Sequence, residues 1–418
     1  LKPLWLEGGG VGAPSMQLAT LAAASGVALV ASLAAAALAA ALGPPRRARL
    51  VGGTGPACQA IVQRISILAS CPRGPLDWSS VLQLVVFALQ ITLQEWRFSR
   101  QYETEVEAFD VQSPCPGRVS IVWVLGTRGA PARDLPDDAP IALLCPGLNC
   151  YAASLPGTSP YSYLLRRPWR VGAFEKRGVG PADGKARRQL RSPVFHLFGH
   201  PSDLHAALLR VQARWPRAPI HLVGFSSGNG LVGSYVSLHG RELPSLRSAL
   251  LLVGGEDYNL AFAPPRRNWL TTLLFDVVLL QATKTRYLFR NEPLLRQRDE
   301  DAYRAAQQAG TLQELYDVCM RSFSGYPCAA EAERRINAFS GGCERLQAVP
   351  VPFLVVFTED DPVAPGGPRP GWVSVLQGCE SAMLAIYPCG SHLGCYDSWC
   401  LTRWVDRLMV QWIDAFAD

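Results

Sequence analysis

The pentapeptide Gly224-Phe225-Ser226-Ser227-Gly228 follows directly on the apolar run Ile220-His221-Leu222-Val223 and fits the pattern G-x-S-x-G. Between a strand and a helix, that pattern describes a nucleophile elbow, a tight turn that lifts a serine hydroxyl clear of a sheet. The outer glycines have a steric reason. The turn brings strand and helix so close that a Cβ two residues before or after the serine would clash. In a chain with 37 glycines the bare pattern has little force; the strand before it and the helix after it give it weight.

The surrounding sequence supplies that context. Apolar runs at 140–145, 169–174, 220–225, 248–253, 351–357 and 382–387 read as strands, and 102–111 and 119–125 as two antiparallel ones. Helical patterns lie between them: Ser202-Asp203 caps one that runs to Trp215, 229–238 continues from the elbow, and 402–416 closes the chain. Such alternation implies a mostly parallel sheet covered by helices on both faces. Between Gly254 and Pro350 the alternation lapses. An apolar stretch at 270–280, charged helical residues at 291–308 and a turn at Gly325-Tyr326-Pro327 read as a helical lid, residues 255–350, within a domain spanning 101–418.

The N-terminal part differs. No charged residue occurs from Gly8 to Pro45, and 16–42 is long enough to cross a bilayer as a helix, with Arg46, Arg47 and Arg49 just after it. Residues 1–45 are therefore expected to carry a membrane anchor; a cleaved signal or transit segment and an alanine-rich tail are the other readings. Met16 is a candidate start, and the arginine bias would leave the following part in the cytosol. Residues 46–100 are expected to link anchor and domain. Their apolar run 81–93 has Gln83, Gln90 and Gln94 at helical spacing, which suits a helix packed on the domain; an in-plane interfacial helix is the rival.

Composition narrows the function. Hydrophobic residues are 49% and charged ones 18%, so 418 residues can bury a sizeable core. A net charge of +6, spread along the chain, suits an anionic lipid surface and is far from a nucleic-acid footprint. The 12 cysteines include no C-x-x-C pair, and Cys389, Cys395 and Cys400 around His392 fit no metal-ligand ladder. No metal or other cofactor is expected. Disulfide state and oligomeric state stay open.

A serine needs a base to take its proton, and the base needs an acid to hold its tautomer. In this architecture they follow in the order serine, acid, histidine. Of six histidines, only His392 lies beyond the last core strand, in Gly390-Ser391-His392-Leu393-Gly394. His205 on a helix face and His221 inside a strand read as structural, while His196 and His200 precede a helix within reach of substrate. The acid should follow the strand 353–357, where Asp361 has the D-x-V-x-P spacing and Asp360 could brace the turn. The oxyanion donors expected are the amides of Ser227 and, after Pro146-Gly147, of Leu148.

These pieces together resemble the membrane-anchored α/β-hydrolase-domain family related to bacterial YheT and plant embryogenesis-associated hydrolases. The motifs are Pro146-Gly147-Leu148, Arg177-Gly178, Gly224 to Gly228, Asp360-Asp361-Pro362 and Ser391-His392-Leu393-Gly394, with Leu315-Tyr316-Asp317 and Gly325-Tyr326 in the lid. The likeness covers Tyr102 to the C-terminus. Asn149-Cys150 replaces the family's Thr-Gly, Gly228-Asn229-Gly230 displaces a glycine, and Ser391 stands where glycine is usual; the first could reshape the acyl pocket. The resemblance implies an esterase or lipase acting on a small lipid or ester substrate, with an N-terminal anchor in many relatives. The basic residues Lys185, Arg187, Arg188 and Arg191 suit a phosphorylated headgroup or a solvated loop.

Rival readings are a catalytically idle scaffold that binds at a membrane, and a thioesterase, amidase or acyltransferase with the same triad. A dehalogenase or epoxide hydrolase would need a carboxylate at position 226.

Overall fold

The computed structural model describes residues 31–155, 160–179, 190–254, 269–337, 344–365, 367–368 and 370–416. Among the described residues nine strands form one sheet: β1 (Arg49–Gly52), β2 (Tyr102–Val111), β3 (Gly117–Thr127), β4 (Ile141–Cys145), β5 (Arg170–Glu175), β6 (Ile220–Phe225), β7 (Leu246–Leu252), β8 (Phe353–Thr358) and β9 (Ala382–Tyr387). Their order is β1-β9-β8-β7-β6-β4-β5-β3-β2. The pairs from β5 through β4, β6, β7 and β8 to β9 are parallel, while β1, β3 and β2 join antiparallel.

Every residue of β4, β6, β8 and β9 is buried, as expected where helices cover both faces of a parallel sheet. Side chains alternate between two cores. Leu144, Phe225, Leu252 and Val356 belong to one, and Leu143, Leu222, Leu251 and Val355 to the other. Each such side chain contributes roughly 1.5–3 kcal/mol on burial. The helices that matter below are α1 (Pro56–Arg64), α2 (Ser66–Ala69), α3 (Ser80–Gln101), α4 (Pro201–Arg214), α5 (Gly228–His239), α6 (Leu312–Ser322) and α7 (Trp404–Asp414).

Residues 46–100 are not a linker. β1 pairs with β9 at the sheet edge, and α1, α2 and α3 pack on the domain. Arg46 is buried against Asp77 at 3.1 Å, so one of the arginines expected to mark membrane orientation is an internal ion pair. The signal was weak because β1 is four half-exposed residues with no alternation. Residues 31–42 are helical, and 16–30 of the expected anchor lie outside the described residues. Among the described residues no helix is long and apolar enough to cross a membrane.

α4 also starts differently. His200 is its N-cap and Pro201 its first residue, with no side-chain cap bond. The expected cap Asp203 is instead taken by the Arg177 guanidinium at 2.7 and 2.8 Å, a buried bidentate pair. Burial pushes the Asp203 carboxyl up, but His200 and then Arg177, by hydrogen bond and by charge, hold it below its ordinary range.

The described part of the lid, 269–337, has its own core. Phe275, Tyr287, Leu315 and Phe323 pack with Phe195, Leu197 and Phe198 from the loop before α4. α6 begins with a full capping box, Thr311 with Glu314. Residues 255–268 and 338–343 of the expected lid lie outside the described residues, as do Lys185, Arg187 and Arg188.

Candidate active site

Ser226 sits between β6 and α5 with φ +52°, the left-handed conformation that exposes its side chain. A Cβ on Gly228 would come within 2.0 Å of the Cys145 carbonyl oxygen, and one on Gly224 within 2.7 Å of Asn229 Oδ1. Both glycines are therefore required by close approach. Asn229, a departure from the resembled family, ties the elbow to the next strand. Its Oδ1 accepts from the Leu252 amide at 3.0 Å, and its Nδ2 donates to the Gly254 carbonyl.

His392 Nε2 lies 2.8 Å from Ser226 Oγ, and its Nδ1 lies 2.8 Å from Asp361 Oδ2. The three residues proposed from sequence are thus brought together. His392 and Asp361 are 6% and 3% exposed, so the contact between them is shielded from solvent. The other Asp361 oxygen accepts from the amides of Val363 at 2.7 Å and Ala364 at 3.0 Å, which fixes the carboxylate plane.

The histidine loop is held against its own strain. Ser391, Leu393 and Cys395 all have positive φ, of 57°, 61° and 49°, conformations that cost of order 1–3 kcal/mol each for such residues. Asp360 Oδ1 accepts from the amides of Gly390 and Ser391, both at 2.9 Å. Thr358 donates to the Ser391 carbonyl at 2.7 Å, Ser391 Oγ donates to the Ser80 carbonyl at 2.5 Å, and Arg403 donates to the Leu393 carbonyl at 3.1 Å. Asp360 thus braces the turn. Burial, and then the neighbouring Asp361 charge, raise its carboxyl to about 6 despite these donors.

The loop after β4 touches the elbow: a Cβ on Gly147 would stand 3.2 Å from Ser226 Cβ. Beneath it lies Lys176, 2% exposed. Its Nζ donates to the Gly147 carbonyl at 2.9 Å and the Leu197 carbonyl at 3.3 Å, and the Cys150 amide is a second donor to the Gly147 oxygen at 3.2 Å. Burial lowers the Lys176 ammonium to about 8. Asn149 and Cys150 also gain definite roles. Asn149, φ +59°, donates to Thr283 of the lid at 2.8 Å and accepts from Arg286, and Cys150 lines the cavity with its thiol pushed up to about 11 by burial.

Ser226 opens into a cavity of about 220 Å³ with an almost wholly apolar lining. Leu148 and Ser227, the proposed oxyanion donors, line it beside Ser226 and His392. α3 supplies Leu84, Phe87 and Ile91, and the lid supplies Leu274, Phe275 and Leu279.

The sheet order, the elbow after β6 and the late histidine on one side of a lidded cavity now stand beside two curated relatives. Abhydrolase domain-containing protein 2 of Drosophila melanogaster is 22% identical over 344 residues, 75% of this chain and 81% of that protein. Monoacylglycerol lipase ABHD2 of Mus musculus is 21% identical over 285 residues, 65% of each. The chain has the α/β-hydrolase fold. Likeness to YheT itself rests on the motifs alone. No protein-family model matches the chain. Among solved structures, a membrane phospholipase A described as a bacterial virulence factor gives a TM-score of 0.42 at 14% identity, covering 80% of this chain and 94% of its own. A thermophilic esterase from Thermogutta terrifontis gives 0.41 at 14% identity, covering 74% and 98%.

The remaining histidines are structural or peripheral. His196 contacts Met320 Sδ at 3.0 Å, and His200 pairs with the Ser324 carbonyl at 2.9 Å. Both are buried against the lid and neither lines the cavity, where the sequence leaves open that they could touch substrate. His221 contacts Ser248 Oγ at 2.8 Å inside the sheet. His205, His239 and Glu242 form a group with ligand atoms within 4.8 Å, and Glu242 contacts both imidazoles. Sequence reasoning missed Lys176 and Arg403. A lysine ending a strand next to Arg177 reads as a solvated charge, and only the tertiary structure buries it.

Proposed function

We propose that this α/β-hydrolase cleaves carboxylic esters of lipid type through an acyl-enzyme on Ser226. Ser226 Oγ attacks the ester carbonyl while His392 Nε2 takes its proton, and Asp361 holds the imidazolium through Nδ1–H. The amides of Leu148 and Ser227 stabilise the oxyanion. His392 returns the proton to the departing alkoxide as the C–O bond breaks. Water, deprotonated by the same imidazole, then attacks the acyl carbon, and Ser226 leaves with its proton restored. The observation that carries this reading is the unbroken relay, two contacts of 2.8 Å from Ser226 through His392 to Asp361.

Support for the oxyanion role of Leu148 comes from peptide geometry. The Gly147 carbonyl and the Leu148 N–H share one trans peptide plane and point in opposite directions. Lys176 and the Cys150 amide hold the carbonyl side, so the Leu148 N–H faces away from Lys176. Support for an acyl substrate is the almost wholly apolar lining of the cavity. The monoacylglycerol lipase activity in the mouse relative's name fits this substrate class. An idle scaffold has no chemical need for so short a serine–histidine contact.

The test is a panel of monoacylglycerols, phospholipids, acyl-CoA thioesters and acyl amides of matched chain length. Turnover of the oxygen esters at least tenfold above the others is expected. Preference for the thioesters, or turnover only with an added alcohol acceptor, would replace this reading with the thioesterase or acyltransferase alternative.

A further inference from the structure

α3 is amphipathic in reverse. Its glutamines face the protein: Gln83 and Gln94 are 0% and 5% exposed, and Gln90 accepts from Tyr396 at 2.7 Å. Its outer surface carries Val81, Val85, Leu89, Leu93 and Trp96, spaced three or four residues apart and 40% to 66% exposed. From 81 to 93 the exposed positions of α3 hold no charge, and Thr92 is their one polar side chain. A solvated helix places its polar side chains outward, so this face is built for a non-aqueous neighbour.

The lid helix across the cavity repeats the pattern. Trp269, Leu273, Val277 and Val278 are 79%, 47%, 52% and 54% exposed, while Asp276 turns to the Leu312 amide at 3.1 Å. Ala88 of α3 and Val278 of the lid are each both exposed and part of the cavity wall, so they form the rim of its mouth. The cavity of Ser226 therefore opens between two outward apolar faces.

We propose that these two faces form a docking collar for a lipid surface, seating the mouth of the Ser226 cavity on the layer from which an ester lipid is drawn. Two observations on α3 favour lipid over a second copy of the chain or a folded partner. The stripe ends in Trp96 with the Arg100 guanidinium 4.1 Å above its ring, an amphipathic pair suited to the headgroup boundary. Among the exposed residues of α3, Arg97 and Arg100 are the charged ones and both are basic, which complements anionic headgroups. Because the stripe shares its rim with the cavity, a lipid can pass from layer to Ser226 without its chain crossing water. This role rests on the ester-hydrolase reading for its purpose but not for its measurement.

The experiment uses the full chain and floats it with phosphatidylcholine vesicles, with and without phosphatidylserine. Two variants carry the test: Val85→Glu with Leu89→Glu and Leu93→Glu, and separately Leu273→Glu with Val277→Glu. None of these five side chains lines the cavity. Vesicle partition is expected to fall about tenfold or more in each variant, while hydrolysis of a soluble butyrate ester stays within about twofold and reports that the fold is intact. Arg97→Glu with Arg100→Glu should weaken binding only where phosphatidylserine is present. Unchanged partition in both glutamate variants overturns the proposal, whatever else holds the chain to vesicles. So does a dimer, seen by light scattering, that the same substitutions dissociate while wild type ignores vesicles. The binding is also measured in Ser226→Ala. If wild type binds vesicles but hydrolyses no ester, the catalytic reading fails and the collar stands.

Discussion

Asp361→Asn lowers kcat by about four orders of magnitude, with the fold and substrate affinity retained. The carboxamide oxygen can still accept from the Val363 and Ala364 amides. Its NH₂ then faces His392 Nδ1, which must become an acceptor, so the ring proton moves to Nε2 and meets Ser226 Oγ with a donor instead of a base. The contrasting variant is Asp360→Asn. Asparagine still accepts from the Gly390 and Ser391 amides, so kcat stays within about threefold, as expected for a substitution that leaves both loop contacts in place. Its effect is on stability, and the sign follows from linkage. The native carboxyl binds its proton below about 6, above its ordinary value of 3.8. Between those values the native state holds more protons than the unfolded chain, so wild-type stability rises as pH falls through that window. Above it the buried charge is a cost that asparagine removes. Asp360→Asn should therefore melt higher than wild type at pH 8, with the difference gone near pH 4. A large loss of kcat in Asp360→Asn together with a mild one in Asp361→Asn would exchange their roles.

Lys176→Met lowers kcat about a hundredfold while KM for a soluble ester changes little. Methionine fills the buried space of the lysine stem but cannot donate, so the Gly147 carbonyl keeps only the Cys150 amide and the Leu148 N–H loses its fixed aim. The loss falls on kcat because the oxyanion exists in the transition state and not in the ground state. A second signature is the pH profile. Lys176 is charged below about 8, where it polarises the Gly147–Leu148 peptide. Above that pH the amine is neutral and the wild-type rate should decline, a limb that Lys176→Met lacks. An equal rise in KM with kcat unchanged would make Lys176 a packing residue only.

How much of this was legible in the sequence depended on where each signal was local. β2, β6 and β9 were read with their true bounds because their apolar patterns are long and end at turn residues. The elbow was legible because the serine turn demands glycine at two fixed positions around it, so the pattern itself carries the constraint. β1 was not, since four residues including an arginine carry no pattern and pair with β9, more than three hundred residues later. α3 was read as a helix on the domain, but the direction of its glutamines was not foreseen. Periodicity gives a stripe and does not say which side meets the protein. Asp203 illustrates the same limit. As a helix-start aspartate it read as a cap, yet Arg177, distant in sequence, outcompetes the helix amides for its oxygens. His196 and His200 looked available because the loop before α4 looked open, whereas the lid covers it.

The central claim is that Ser226 is the acylated nucleophile of this relay. The most direct measurement treats the full chain with a fluorophosphonate bearing an alkyl chain and locates the adduct by peptide mass spectrometry. A single phosphonyl adduct on the peptide containing Ser226 is predicted, absent in Ser226→Ala and slowed by about four orders of magnitude in Asp361→Asn. Labelling of Ser226→Ala at the wild-type rate, or an adduct on any other residue, would contradict it.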